Sequence, residues 1–133
     1  MTQRVRCKRF GLVVWLLAAA CGCGGPVTYE VTGSVAYDGE PVERGEINFV
    51  PTEPGAAAEG GLIENGRYSF RASPGAKRVE IRGSRPLPPE RQTQPEMGLM
   101  YDDYIPAIYN RESKLTADVG PDSRQFDFDL PAP

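Results

Sequence analysis

The stretch from Val31 to Pro51, VTGSVAYDGEPVERGEINFVP, limits the fold more than any other part of the chain. Its first half alternates so that Val35 and Tyr37 share one face, because successive side chains of a strand point to opposite faces. An Asp-Gly turn follows, and Ile47 and Phe49 then share a face of a second extended run. The stretch therefore predicts two half-buried strands separated by a turn-rich segment that serves as scaffold.

Short alternating runs between turn residues continue to the end of the chain. Further runs typical of strands cover Glu59–Ile63, Arg67–Phe70, Lys77–Arg82, Leu115–Val119 and Gln125–Leu130. An Asn-Gly pair between the first two of these runs predicts a tight hairpin. The chain holds 15 glycines and 13 prolines among its 133 residues. With so many turn residues between short runs, an all-β sandwich or barrel is favoured over helices.

The segment from Gly83 to Met100 has no sustained period and contains four prolines. A loop of this length inside a compact domain is usually functional or disordered, and we expect it to be flexible. It leads into a sequence whose tyrosine rings can stack on a ligand and whose carboxylates can contact polar groups. The candidate ligand contacts are therefore Tyr101, Asp102, Asp103 and Tyr104.

The first twenty residues differ in kind from the rest of the chain. A basic cluster is followed by an apolar run of about eleven residues, Phe10 to Ala20. This is the layout of a secretory signal. The apolar run is too short for an ordinary transmembrane helix, which needs about 20 residues.

The sequence Leu17-Ala18-Ala19-Ala20-Cys21 resembles a bacterial lipobox, in which a cysteine receives a diacylglyceryl group and the signal is cleaved before it. Ala18 departs from the commonest pattern, which has Leu or Val at that place, and Cys23 is a weaker match. A plain secretory signal with an incidental cysteine is the alternative. We predict lipidation at Cys21, with membrane lipid as the partner of the acylated cysteine.

These boundaries define three regions of the chain. Residues 1–20 are a lipoprotein signal peptide, residues 21–29 are a lipid-anchored tether, and residues 30–131 form a single domain, which suits their length. We expect the protein to be exported across the cytoplasmic membrane and held in the cell envelope, on its periplasmic or outer-surface side. Cys7 lies in the cleaved part, so the domain has no disulfide framework.

The charge of the exported chain argues against nucleic acid as a partner. Four of the 15 Lys and Arg and none of the 18 Asp and Glu lie in the first twenty residues, so the remaining chain carries a net charge near −7. Binding to a phosphate backbone needs clustered Lys and Arg. The same charge disfavours attraction to anionic lipid, so the membrane link would depend on the acyl group.

The absence of histidine from the whole sequence limits catalysis. It removes His-based general bases, Ser-His and Cys-His pairs and the usual zinc ligand sets. Asp102 and Asp103 could in principle act as paired carboxylates, but neighbouring residues of a strand point to opposite faces. We therefore expect neither an enzyme nor a cofactor.

The order of the motifs resembles a known family. The chain reads V-x-G-x-V-x-Y-D-G-x-P-V-x-x-G-x-I-x-F-x-P, E-N-G-R-Y-x-F, P-G-x-x-x-V-x-I, I-P-x-x-Y-N-x-x-S-x-L-x-x-x-V and F-x-F-x-L. This order is similar to the carboxypeptidase regulatory-like domain of small bacterial lipoproteins, over residues 31 to 130. The departure lies at Gly75-Ala76-Lys77-Arg78, where members of the family often have a shorter approach to the strand.

The resemblance implies a transthyretin-like (prealbumin-like) fold, a seven-stranded Greek-key β-sandwich. In metallocarboxypeptidases this domain is the non-catalytic companion of the enzyme. The resemblance thus implies a non-catalytic envelope lipoprotein with a structural or protein-interaction role, whose partner would be another envelope protein.

An extracytoplasmic module that binds carbohydrate, peptide or calcium through the loop from Gly83 to Asn110 is the alternative. Tyr101, Tyr104 and Tyr109 would supply its stacking groups, although such tyrosines more often pack in the core or at a strand edge. Trp15 lies in the signal, so the exported chain lacks tryptophan, which disfavours carbohydrate. Calcium needs six to eight converging oxygens, and no EF-hand spacing is present.

The lipid anchor makes a first prediction. Mass spectrometry of membrane extracts should find an acylated N-terminal peptide that begins at Cys21, since two or three acyl chains hold a protein stably on a membrane. Cys21→Ser should abolish the modification and Cys23→Ser, the matched control, should retain it. A soluble, unmodified exported chain would contradict the anchor.

Overall fold

A computed structural model describes residues 24–133, so the predicted signal peptide, Cys21 and Cys23 lie outside the described residues. Three short 3-10 turns, at Pro89–Arg91, Pro95–Met97 and Ala107–Tyr109, interrupt its connections. Within this range the chain forms nine strands: β1 (Tyr29–Tyr37), β2 (Glu40–Pro41), β3 (Arg44–Pro51), β4 (Glu59–Glu64), β5 (Arg67–Ala72), β6 (Gly75–Pro86), β7 (Tyr101–Asp103), β8 (Leu115–Val119) and β9 (Phe128–Leu130).

No helix in residues 24–133 has the length and apolar character needed to cross a membrane.

Seven of the nine strands form where the alternation predicted them, β2 and β7 being additional, and the turns have the predicted chemistry. Asp38 and Gly39 have φ angles of 52° and 79°, and Asn65 and Gly66 have φ angles of 51° and 75°. Two consecutive positive φ angles define the tight hairpin turn whose twist matches the flanking strands, which explains the Asp-Gly and Asn-Gly sequences. The all-β prediction is confirmed.

The strands make one curled, largely antiparallel sheet in the order β2-β1-β5-β4-β3-β6-β7, with β8 added to β6 and β9 added to β1. Strand β6 pairs with β3 on one side and, on the other, with β8 at its start and β7 at its end. Strand β1 pairs with β5 in its first part and with β2 and β9 in its last three residues. The two long strands thus change partners along their length, and the sheet curls where they do so.

The sheet has one buried face and one face in water, as antiparallel sheets commonly do. The fully buried residues of the inner face include Val31, Ile47, Phe49, Val79 and Ile81. The outer face carries charges of alternating sign across the strands. Glu64 of β4, for example, lies opposite Arg44 of β3 on one side and Arg67 of β5 on the other.

The last residues of the chain cover part of the inner face. Leu130 is fully buried, and Phe126 and Phe128 are half-buried against the core. The ring of Phe126 lies 5.9 Å from that of Phe49, in an edge-to-face arrangement. These are the inward positions that the sequence predicted, although β9 covers only Phe128–Leu130 and Gln125 makes an isolated bridge to Thr32.

The covering segment is held to β1 and β5 by hydrogen bonds close to Gly33. The Tyr68 hydroxyl donates to the carbonyl oxygen of Phe126 at 2.6 Å, and a Cβ at Gly33 would overlap that same carbonyl. Asp127 accepts hydrogen bonds from the hydroxyl and the backbone N–H of Ser34, both at 2.8 Å. These bonds, the side-chain one first, lower the pKa of the Asp127 carboxyl below its ordinary value.

The segment predicted as a loop from Gly83 to Met100 is shorter and more organised than expected. Strand β6 continues to Pro86, because Ser84 to Pro86 find a partner in β7. The chain then makes an excursion from Leu87 to Met100, and the side chain of Gln92 joins the two ends of this excursion. Its Nε2 donates to the Leu87 carbonyl at 2.8 Å, and its Oε1 accepts from the Met100 backbone N–H at 3.0 Å.

Gly33→Ala should destabilise the fold by about 1–3 kcal/mol, because the new methyl group overlaps the Phe126 carbonyl and the covering segment must shift. The measurement is the free energy of unfolding in urea.

Gly120→Ala is the matched control, since nothing lies within 4 Å of a Cβ placed there. Equal stability of the two variants would contradict the close approach at Gly33.

Candidate functional site

Three of the four predicted contact residues lie on β7, at one end of the sheet, and not in a loop. Tyr101, Asp102 and Asp103 pair with Pro86, Arg85 and Ser84 of β6. Sequence reasoning placed them in the loop because three residues are too few to show an alternation. The pairing fixes the direction in which each side chain points.

Two open surface grooves meet at Tyr101. The first groove, of about 950 Å³, lies over the ends of β3, β4 and β6, and is lined by residues that include Glu46, Leu62, Glu64, Arg82 and Asp103. The second groove, of about 940 Å³, lies beside the β1–β2 turn, and is lined by residues that include Tyr37, Asp38, Glu40, Arg85 and Tyr104. Glu43, Arg44, Asn65, Ser84 and Tyr101 line both grooves.

Arg44 and Tyr101 make the wall that the two grooves share. The guanidinium carbon of Arg44 lies 4.8 Å from the centre of the Tyr101 ring, and its Nη1 donates to the tyrosine hydroxyl at 3.4 Å. The Tyr101 side chain is exposed, at 44% of its full area. Because neither residue is buried, this wall can open without disturbing the core.

Tyr104 is held more firmly than Tyr101. Its ring meets that of Tyr37 edge to face, with centres 5.7 Å apart, and the guanidinium of Arg85 lies 5.1 Å from its centre. Burial raises the pKa of the Tyr104 hydroxyl; Arg85 opposes this change, and Glu43 and Glu40 add to it. Burial is the first of these causes, which agrees with a ring that is packed rather than exposed.

Asp102 and Tyr109 lie outside both grooves, whereas Asp103 lines the first one. Asp102 approaches Arg91, with an oxygen-to-nitrogen distance of 3.9 Å, while Asp103 lines the first groove. Neighbouring residues of a strand face opposite ways, so the two carboxylates do not share a site. Tyr109 packs against the core, and its hydroxyl donates to the Pro131 carbonyl at 2.7 Å.

Sequence reasoning missed the residues that face Tyr101 and Tyr104. Arg44, Glu40 and Glu43 belong to the turn-rich segment after β1, which the sequence marked as scaffold. Arg44 and Tyr101 are 57 positions apart, and only the pairing of β6 with both β3 and β7 brings them together. No local pattern signals such a contact.

A buried polar cluster at the opposite end of the sheet was also missed. Lys77 is only 3% exposed; its Nζ lies 3.2 Å from Glu59 Oε2 and donates to Ser73 Oγ at 2.8 Å. The Ser73 backbone N–H donates to both oxygens of Glu59 at 3.0 Å. The alternation did contain the signal, because Lys77 shares the parity of the inward-facing Val79 and Ile81. A buried charge needs such partners, so the cluster supports the fold.

Across residues 24–133, no three His, Cys, Asp or Glu side chains converge in a way that could hold a metal ion.

Comparisons with known proteins leave the family open. No protein-family model matches the chain, and no curated protein matches it significantly. Among solved structures, the chain is similar to a 9R-lipoxygenase from Cyanothece PCC8801, with 16% identity and a TM-score of 0.37. The match covers 80% of this chain and 16% of the lipoxygenase chain. This likeness is too weak to assign a fold or an activity.

Truncating the two tyrosines should separate an exposed contact residue from a packed one. Tyr104→Ala should cost about 2 kcal/mol of folding free energy, because it removes a ring that packs against Tyr37 and the core. Tyr101→Ala should cost less than about 0.5 kcal/mol, because that ring lies at the surface.

Urea unfolding of both variants against the unchanged protein provides the measurement. A loss at Tyr101 as large as that at Tyr104 would show that Tyr101 is part of the packing.

Proposed function

We propose that this chain is a non-catalytic, lipid-anchored module of the bacterial cell envelope that binds a protein partner with the end of the sheet farthest from its anchor. The proposal depends on where the two ends of the sheet lie along β6. Tyr29, where β1 begins, pairs with Ala72, just before β6 begins. Strand β6 then runs for 12 residues, about 40 Å, to Pro86, which pairs with Tyr101.

The fold proposed for this module is the seven-stranded Greek-key, transthyretin-like sandwich of carboxypeptidase regulatory-like domains. Its support is the agreement between motifs and strands. The first motif spans β1 to β3, the Asn-Gly motif spans β4 and β5, and the later motifs fall on β6, β8 and β9. Eight of the nine strands, all except β7, therefore lie in or overlap segments that carry the resemblance.

The anchor proposed is an acylated Cys21 after export across the cytoplasmic membrane. The described chain begins with exposed residues from Gly24 to Val27, which suit a tether that leads from the lipid to β1. The acyl group would hold this end of the sheet at the membrane. The opposite end would then face the envelope space or the exterior.

Exposed apolar side chains at the far end favour a protein as the partner. Met97 and Leu99, on the excursion closed by Gln92, are 77% and 66% exposed. They belong to the same excursion that delivers the chain to Tyr101 and the two grooves. Exposed apolar groups beside a groove are typical of surfaces that bind other proteins.

A ligand-binding module is the second candidate, and the exposure of Tyr101 where the two grooves meet favours it. A carbohydrate, peptide or cation could contact this ring. The faces of Tyr101 and Tyr104 that Arg44 and Arg85 occupy are less open to a sugar. A peptide is the ligand that both candidates share.

Site-specific photo-crosslinking in intact cells tests the proposed function. A photoreactive amino acid at Leu99 should give one dominant protein adduct, because this position lies at the far end of the sheet. The same group at Glu53 is the matched control, since this exposed residue follows β3 near the start of β6. Equal adducts at both positions, or none at Leu99, would contradict a partner at the far end.

A further inference from the structure

The two grooves that meet at Tyr101 have a charge and a lining that select one kind of occupant. We propose that together they form a binding site for a basic, extended peptide segment of the protein partner, an inference that rests on the proposed function. Lys or Arg side chains of the peptide would lie against the groove carboxylates. Its backbone would pass over the wall made by Arg44 and Tyr101.

Charge complementarity is the first argument for a basic peptide. Six carboxylates line the two grooves against three arginines, Arg44, Arg82 and Arg85, which leaves a net charge of −3. The carboxylates are those of Asp38, Glu40, Glu43, Glu46, Glu64 and Asp103. The ion pairs found within residues 24–133 join Lys77 to Glu59, Arg78 to Glu80 and Arg91 to Asp102. None of them involves a groove carboxylate, so the negative field is available to a ligand.

The tyrosines are the second argument, because their rings attract cations. Arg44 lies over Tyr101 and Arg85 lies over Tyr104, at 4.8 Å and 5.1 Å from the ring centres. The chain itself thus shows that these rings accept a guanidinium group. Tyr37 adds a third ring beside Glu40 in the second groove. A basic side chain of a partner could replace one of these arginines over the face of its ring, near the carboxylates.

The shape of the surface is the third argument. Asp103 and Glu64 lie on β7 and β4, three strand steps apart, so the first groove is about 14 Å long and suits about four extended residues. The second groove has almost the same volume and continues beyond Tyr101. A peptide of about eight residues can therefore span both grooves. Proline between the basic residues favours such an extended backbone at little entropic cost.

Fluorescence anisotropy with the full-length protein in a neutral detergent tests the site. The probe is a labelled octapeptide of alternating Lys and Pro, and peptides with Glu or Gln in place of each Lys are the comparisons. Only the Lys peptide should bind, and spermidine should compete poorly, because it lacks a backbone to contact Tyr101. Tyr101→Ala should weaken binding about fivefold, consistent with the loss of a stacking group.

Charge reversal supplies the matched pair of variants. The double substitution Glu40→Lys with Glu43→Lys should weaken binding of the Lys peptide at least tenfold, because both carboxylates lie in the second groove. The double substitution Glu53→Lys with Asp118→Lys changes the net charge by the same amount at exposed positions outside both grooves. It should weaken binding of the Lys peptide less than threefold. The altered residues are exposed, and unfolding in urea checks that every variant is folded.

Equal loss in the two charge-reversed proteins, or no binding of the Lys peptide by the unchanged protein, would overturn the site. Tight competition by spermidine would overturn the peptide as its ligand. A dominant adduct from Leu99 without peptide binding would leave the proposed function standing while the basic-peptide site fails. Peptide binding through the grooves without any adduct from Leu99 would support the site while the proposed function fails.

Discussion

The structure depends on the need to cover one apolar face of a single antiparallel sheet. The residues from 24 to 133 contain only 3-10 turns beside the strands, so no α-helix serves as the second layer. Instead the segment around Ile105 and the last residues, with Phe126 and Leu130, bury the inner face. The cover closes where the Phe126 carbonyl meets Gly33 and accepts from Tyr68, which joins the two ends of the chain. Contacts of such long separation slow folding, because the entropy of closing the loop is lost before they are gained.

The grooves follow from the way in which that cover is built. Strand β6 pairs with β8 over its first residues and then continues beyond it, so β7 can add to its last three residues. This places Tyr101 beside the ends of β3 and β4, at the rim of the sheet. The groove residues are mostly exposed, whereas the inner face beneath them is closed. Changes at this rim should therefore cost little stability, which would suit the proposed binding surface.

The sequence was sufficient to predict where the strands and turns form, but it was insufficient to predict which strands pair. Val35, Ile47 and Val79 alternate with polar residues, and the two-residue turns fix their own backbone angles, so strand positions could be predicted. The order of strands could not, because β1 and β3 are separated only by the short β2 in the chain, yet β1 pairs with β5, and β3 pairs with β4 and β6. The sequence predicted only one side of the candidate site: it named Tyr101 and Asp103, but not Arg44, which contacts Tyr101 from 57 positions away. The role of Gln92 was missed because its side chain forms hydrogen bonds in place of backbone pairing. Such a role leaves no periodic pattern in the sequence.

The charge of the chain bears on how a lipid-anchored module would present this site. An acidic domain is repelled by anionic headgroups, but that repulsion fades within a Debye length of about 8 Å at physiological salt. The proposed tether from Cys21 to the start of β1, about eight residues, could extend to roughly 26 Å. The domain can then stand outside the repulsive layer, with the start of β1 toward the lipid. In the proposed arrangement the groove carboxylates, at the far end of β6, would lie still farther from the headgroups, and a basic partner would meet their field without competition from the membrane.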